Sequence, residues 1–379
     1  MNIKKILWLV MCVVLAMFAL ASCEEEQIGD DLSRIEGFVK PVVIEDVSLD
    51  LYIITGEDTT TNAITTVEDK INAYLKGRND KKFNTTLDIK FYKSIDEYKA
   101  AVSGATNGGI VLLAGSDMVN EYKSKLVNVE PYLSDADLTK KYGFATLNAS
   151  INSLLLDAAR ETVNDETTLY YIPNNHVIGT YDYIVINRDF AQDYLNKTDA
   201  ELKAIKTEAD MNSFKDAVSA NVAGFLASSM GAAYAGQGID DLVKFETGKL
   251  YSDKDSYEPL EWWCNVVAYP VASAEEAATA GFGILSGTAK PDAAMEIIYL
   301  INTDKTLRNY LQYGIEITNY RVVDGVVVPH TTGDNVYSMN ILHTGDVFNA
   351  LYSKTDDYVW TEEAKEYGLL QNKEAVKPQ

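Results

Sequence analysis

The sequence predicts an α/β protein with more than one domain, and three observations carry that expectation. Between residues 49 and 133, apolar runs with strand spacing alternate with one-faced helical patterns, the βαβ rhythm of an open parallel sheet. From Gly281 to Tyr320 a short apolar segment feeds two helical patterns in succession. The chain has 379 residues, enough for a large core and normally for two domains.

The N-terminus fixes the compartment. Lys4 and Lys5 precede an apolar run, Ile6 to Ala21, that ends Leu20-Ala21-Ser22-Cys23. A basic start, a short hydrophobic core and small residues before the cut predict a secretory signal over residues 1–22. The run is too short for a typical spanning helix. Leu-Ala-Ser-Cys has the form of a lipobox, in which Cys23 is lipidated and becomes the first mature residue. More than one acyl chain holds a soluble domain firmly on a membrane. Glu24, Glu25, Glu26, Asp30 and Asp31 then form a solvated acidic run, so residues 23–45 are expected to be the lipidated cysteine and a flexible tether. The expected location is extracytoplasmic, anchored by lipid to the cell membrane or to an outer membrane.

Charge and cysteine count narrow the partners. The formal net charge is −23, and the two lysines of the signal leave with it. A chain so acidic is not expected to bind nucleic acid or an anionic membrane surface, so its membrane contact is through lipid alone. Cys12 goes with the signal and Cys23 is the anchor, which leaves Cys264 and no disulfide framework. Cys264 reads as a small buried hydrophobe.

In chain order, Leu49–Ile54 reads as a strand followed by a polar loop, 55–61. Ligands of open α/β sheets gather beyond the carboxyl ends of the strands, so Thr55 and Glu57 can face a polar solute. The loop can equally be a solvated one whose Thr and Asp side chains cap nearby amides. Ile64, Val67, Ile71 and Leu75 mark a helix, Thr86–Tyr92 a strand, Ile95 to Val102 a helix, and Gly108–Ala114 a buried strand; a helix follows at about 117–125. Leu147–Val163 reads as one long helix. A polar cluster, Thr168–Gly179, leads into the strand Tyr181–Asn187. Helical patterns follow at 189–195 and 212–229.

The glycine-rich stretch 231–238 is either a flexible loop or a place where backbone approaches a ligand, with Tyr234 and Gln237 offering contacts. Trp262 and Trp263 are either core or aromatic faces for a pyranose ring. Val266–Pro270 and Gly281–Leu285 read as paired strands. Pro291 opens a helix, Asp304 caps a second, and Gly314 stops it. Branched runs around Asp324-Gly325 predict a hairpin, and 338–351 and 361–367 short helical or irregular pieces.

Nothing in the sequence reads as catalytic. There is no Gly-x-Ser-x-Gly, His-Glu-x-x-His, Gly-x-Gly-x-x-Gly or Walker pattern, so no enzyme and no cofactor are expected. Glu275 and Glu276 are adjacent and would not face one site in a regular element. His176 has His330 and His343 only far along the chain, which is no metal-ligand spacing.

The segment with Gly283-Ile284, small residues, Lys290-Pro291-x-x-Ala294-Met295, Asn302-Thr303-Asp304-Lys305 and Tyr313-Gly314-Ile315-Glu316 resembles the extracellular solute-binding lipoproteins of ABC-type uptake systems. It resembles in particular the subgroup with a distinctive C-terminal module after the two lobes. The Tyr171-Ile172-Pro173 segment resembles the family's crossing between lobes.

The resemblance implies a type II, two-lobed periplasmic-binding-protein-like fold, with mixed sheets flanked by helices and a hinge between the lobes. Lobe 1 would be 46–175 with 281–312 returning to it, a shortened lobe 2 would be 176–280, and a C-terminal module, 313–379, would border the cleft. Asn174, Asn175, His176 and Tyr183 would lie beside that cleft, and Tyr313, Glu316 and Asn319 would border it. His176 can instead be a structural loop residue. The solute implied is a carbohydrate, most simply an oligosaccharide, passed to ABC permease subunits. The competing expectation is a surface glycan-capture or interaction lipoprotein without an ABC partner.

Overall fold

The computed structural model describes residues 44–250, 262–354 and 359–378. The expected signal, Cys23 and nearly all of the expected tether lie outside the described residues. Asp46–Gln379 is one compact unit.

The first lobe starts as the alternation predicts. β1 (Glu45–Ile54), α1 (Thr61–Gly77), β2 (Phe83–Tyr92), α2 (Ile95–Gly104), β3 (Ile110–Leu113) and α3 (Ser116–Tyr122) follow in order. The Thr60 side chain accepts from Ala63 N to start α1, whose Ala63, Val67, Ile71 and Leu75 form one buried stripe. Every residue of β3 is buried, as a strand covered on both faces requires.

The expected helix over 147–163 is broken. Asn152 caps a new helix, α4 (Ser153–Ala159), and a hairpin follows, β4 (Glu161–Val163) with β5 (Glu166–Thr168). Its turn is Asn164-Asp165, both left-handed at φ 53° and 66°, a conformation that Asn and Asp adopt more readily than most residues.

β6 (Tyr171–Pro173) ends the outgoing half of the first lobe. The chain crosses to β7 (Tyr181–Asn187), the centre of a second, antiparallel sheet of order β8-β7-β9. In that lobe 189–194 form a wide helical turn, and the predicted 212–229 helix is α5 (Glu208–Val218) with a short turn after it. β8 (Val243–Gly248) and β9 (Trp262–Ala268) complete the sheet. Ile184 and Ile186 pack with Leu202 and Met211 on one face, while Tyr181, Tyr183 and Val185 pack on the other.

The strands expected at 266–270 and 281–285 are not paired with each other. After β9 the chain turns through α6 (Ala274–Ala277), and β10 (Gly281–Ile284) enters the first sheet between β3 and β6. That sheet has the order β2-β1-β3-β10-β6, with β10 antiparallel to both neighbours. The reason is the second crossing: it carries β10 back into the first lobe.

α7 (Pro291–Thr303) and α8 (Lys305–Tyr313) have the bounds the caps dictate. Asp304 Oδ1 accepts from Thr306 N and Leu307 N, and Gly314 at φ 73° ends α8. A four-stranded sheet follows, β11 (Tyr320–Val323), β12 (Val326–Pro329), β13 (Ser353–Lys354) and β14 (Val359–Trp360), with Asp324-Gly325 at the predicted turn. α9 (Glu362–Glu374) is longer than expected. Arg308 of α8 is fully buried, and its guanidinium donates to Ile341 O at 3.1 Å, fixing the C-terminal module on the first lobe.

Candidate functional site

The carboxyl ends of β1, β2 and β3 and the two crossings lie on one side of the first sheet. Thr55 N donates to Tyr92 O, which sets the ends of β1 and β2 side by side, and Gly115 N after β3 donates to Ala278 O of the returning crossing. In an open α/β sheet this is the side where ligands gather.

Much of that edge is already covered by the chain itself. The segment 334–338 straps over the loop after β1: Gly56 N and Thr60 N donate to Ser338 O and Val336 O. Thr55 Oγ1 lies 2.7 Å from Thr59 Oγ1 and 2.9 Å from Ser338 O. Thr55 is therefore a buried tie between the β1 loop and the C-terminal module, while Glu57 on the same loop is exposed.

The pivot residues are buried too. Asn174 N donates to Ala280 O, and its Nδ2 donates to Leu342 O. Asn175 accepts Asn152 N at Oδ1 and donates from Nδ2 to Ser150 O, so its amide fastens the crossing to the turn before α4. His176 lies with Nδ1 2.9 Å from Asn174 O and Nε2 3.0 Å from Glu276 Oε1. Burial pushes the Glu276 carboxyl up, but the bonds from His176 and Gly179 N outweigh it and hold it below the ordinary range. Glu275 beside it is exposed, so of the adjacent pair only Glu276 turns to the pivot.

α9 closes over both crossings. Gln371 Nε2 donates to Ile178 O and Gly179 O, Asn372 receives Ile178 N and donates to His176 O, and Val376 just beyond α9 bonds Pro270 O and Ala272 N. Nothing local in the sequence of 362–376 marks that role, because its partners lie about 100 to 200 residues earlier.

The candidates on the second lobe are spread out. Tyr183 is in the core of the sheet's Tyr181 face. Tyr234 is buried, its hydroxyl donating to Asp189 Oδ2 and its ring stacked on Phe225. Gln237 is half-buried. Trp262 and Trp263 are half-buried and pair across from Asn187 and Ile186. That is the far end of β7 from the crossing, roughly 20 Å of strand away. Trp263 Nε1 donates to Asn265 Oδ1, and Arg188 and Lys203 each sit 5.6 Å from its ring centre.

In the C-terminal module Tyr313 is buried, with its hydroxyl 3.0 Å from Ser353 Oγ, and burial raises its phenol. Asn319 is wholly buried: Oδ1 accepts Ile315 N and Nδ2 donates to Asn335 O. Glu316 is exposed. Glu57, Gln237, Trp262, Trp263 and Glu316 thus keep surface, and the other candidates serve internal ties. Asn174, Asn175 and His176 lie together at the pivot.

A groove of about 560 Å³ beside the pivot was not foreseen. Asn148, Ser150 and Asn152 form one wall, Asn372 and Phe348 the other, and Asn175 the floor. Its volume is within the range of small-solute sites. Among the described residues no cluster of His, Cys, Asp and Glu is set to hold a metal ion, and no helix is long and apolar enough to cross a membrane.

No family model and no curated protein matches the sequence. Solved structures do resemble it. The N-glycan transport solute binding protein (NgtS) from Streptococcus pneumoniae aligns over 87% of this chain and 83% of its own, at 15% identity and a TM-score of 0.51. The same protein in complex with Man1GlcNAc aligns over 88% and 84%, at 14% identity and a TM-score of 0.49. An extracellular solute-binding protein from Bifidobacterium longum subsp. infantis aligns over 89% and 83%, at 14% identity and a TM-score of 0.39. The first of these establishes the fold: the chain has the two-lobed architecture of solute-binding proteins.

Proposed function

We propose that this protein is an extracytoplasmic solute-binding protein that captures a carbohydrate, most simply an oligosaccharide, and presents it to the permease of an ABC importer. The observation that carries the reading is the architecture: two sheets joined by paired crossings, in the fold of a protein whose name assigns it N-glycan transport. A pivoting pair of lobes needs only different affinities for solute in its open and closed forms, and no bond is broken. Cys23 is the proposed point of lipid attachment, and the acidic segment after it the tether; the lipobox and the charge of 24–31 support this. Membrane contact is then through lipid alone.

The ligand-facing residues proposed are the exposed Glu57, on the loop after β1, together with the groove at Asn148 and Asn152 beside the pivot. Planar amides suit vicinal hydroxyls, since each can donate and accept at once. One observation favours the alternative of a surface interaction lipoprotein without a permease. Most of the polar side chains at the sheet edge are spent on the chain's own backbone, as Thr55, Asn174, Asn175 and Asn319 show.

Thermal unfolding of residues 24–379 against mono- and oligosaccharides, N-glycan fragments among them, and against oligopeptides separates these. A ligand that binds only the folded state adds about 2.7 kcal/mol of stability at 100 times its dissociation constant. A rise with one saccharide series supports the reading. A rise with peptides alone overturns the solute class, and no rise with any compound favours the interaction protein.

A further inference from the structure

We propose that Asn107 is a site of spontaneous covalent modification, where loss of the side-chain nitrogen produces an isoaspartyl linkage at the entrance to β3. The site is at the amino end of that strand, opposite the edge where ligands gather, so the inference holds whatever the solute is.

Asn107-Gly108 is the only Asn-Gly pair in the sequence, and it forms the turn between α2 and β3. Glycine after asparagine matters because no Cβ shields its nitrogen or restricts the turn. Asn107 is exposed, and among the described residues nothing holds its side-chain amide. Gly108 is buried, yet its N–H meets no acceptor there. A buried N–H so placed is rare in folded proteins. This unengaged nitrogen is the nucleophile, and the neighbouring Asn107 Cγ is its target.

Packing requires the glycine of this pair. Gly108 is left-handed at φ 79°, and a Cβ there would run into Thr288 N. Any side chain would drive the turn off the backbone of 287–288.

The conversion consumes only water. Gly108 N attacks Asn107 Cγ and a C–N bond forms. The Cγ–Nδ2 bond breaks, and ammonia leaves with the proton of the N–H. Water then opens the five-membered imide. Attack at Cγ gives aspartate, and attack at the main-chain carbonyl of residue 107 gives the isoaspartyl linkage. Nothing is oxidised or reduced: amide and water become carboxylate and ammonium.

The isoaspartyl product lengthens the main chain by one methylene where the turn is tied on both sides. Gly109 N donates to Thr288 Oγ1 at 2.8 Å, and that hydroxyl donates to Leu285 O at 2.6 Å. Leu285 N returns a bond to Gly109 O at 2.9 Å. These bonds join the entrance of β3 to the exit of β10, just before α7. An extra atom in the turn displaces them, because closely packed backbone cannot absorb it. Aspartate at 107 adds only a charge on an exposed side chain, beside a recess of about 220 Å³ that Asp50 and Lys290 also line.

The test keeps residues 24–379, which contain the whole compact unit, folded in mildly alkaline buffer at physiological temperature. Peptide mapping by mass spectrometry follows every asparagine with time, and electron-transfer fragmentation separates aspartyl from isoaspartyl products. Asn107 is expected to convert several times faster than any other asparagine, mainly to the isoaspartyl form. Asn152 and Asn212, each followed by serine, are the comparison: Asn152 Oδ1 accepts Leu154 N, and Asn212 is inside α5. The aged protein is then expected to show a second, lower melting step. Aged Asn107→Gln, whose longer side chain closes the ring poorly, and fresh Asn107→Asp should each melt once, as the unaged parent does. An intact Asn107 in folded protein, when the denatured chain converts in the same buffer, overturns the proposal. Faster conversion at another asparagine does so too. Conversion without a new melting step, or the same new step in aged Asn107→Gln, overturns the effect on the β3 entrance. Should Asn107→Gln fail to fold, Asn107→Ser serves in its place.

Discussion

Among the described residues Ile317 carries the clearest local strain. It is β-branched, left-handed at φ 72°, and exposed, with its N–H held by Tyr320 O. A branched side chain in that region costs on the order of 1–3 kcal/mol, and so little of it is buried that little is lost on removal. Ile317→Gly is expected to raise stability by about 1 kcal/mol in denaturant unfolding. Asp346 gives a second expectation. Burial pushes its carboxyl up to about 6, against the pull of the Phe348 N–H. A raised carboxyl is favourable while protonated, so its contribution is full at low pH and lost as pH rises through about 6. Between about pH 4 and 7 the parent should lose on the order of 1–3 kcal/mol that Asp346→Asn keeps, read from unfolding midpoints across that range. At this scale the sequence showed which side chains could do polar chemistry, but not where their bonds would go. Thr55 and Asn319 look like ligand contacts until segment 334–338 arrives to use them, and for Thr55 that partner lies 283 residues away.

Elements were legible where their signals are local. Pro291, Asp304 and Gly314 bound α7 and α8 because a missing N–H, a carboxylate cap and a left-handed glycine act within one turn. The 147–163 region misled because its helical stripe continues across Asn152, and the Asn164-Asp165 turn signal stands only just beyond its end. α9 depends on a close approach that the sequence cannot reveal. A Cβ at Gly368 would stand 2.5 Å from Val177 Cγ2 and 3.2 Å from Phe348 Cε1. Gly368→Ala should therefore cost about 1–3 kcal/mol, although alanine is the better helix former. Gly77, at the end of α1 with nothing near its Cβ direction, is the contrast. Gly77→Ala should gain up to about 1 kcal/mol, and thermal melts of the two variants should move in opposite directions.

For the whole molecule, the return of β10 to the first sheet is what makes two lobes out of one chain. The strand signal at 281–285 was readable, but its neighbours β3 and β6 were not, since pairing across a crossing leaves no local trace. Among the described residues the second lobe has a sheet of three strands, and Trp262 and Trp263 sit at the end remote from the pivot. The pivot is bound by α9 and by the His176–Glu276 pair, so any closing motion must work against those ties. In the proposed function a saccharide is held between lobes that close on it. Small-angle X-ray scattering of residues 24–379, with and without a saturating N-glycan oligosaccharide, tests that most directly. A fall in the radius of gyration of about 1 Å is expected on binding. A saccharide that raises the melting temperature yet leaves the scattering profile unchanged would contradict it.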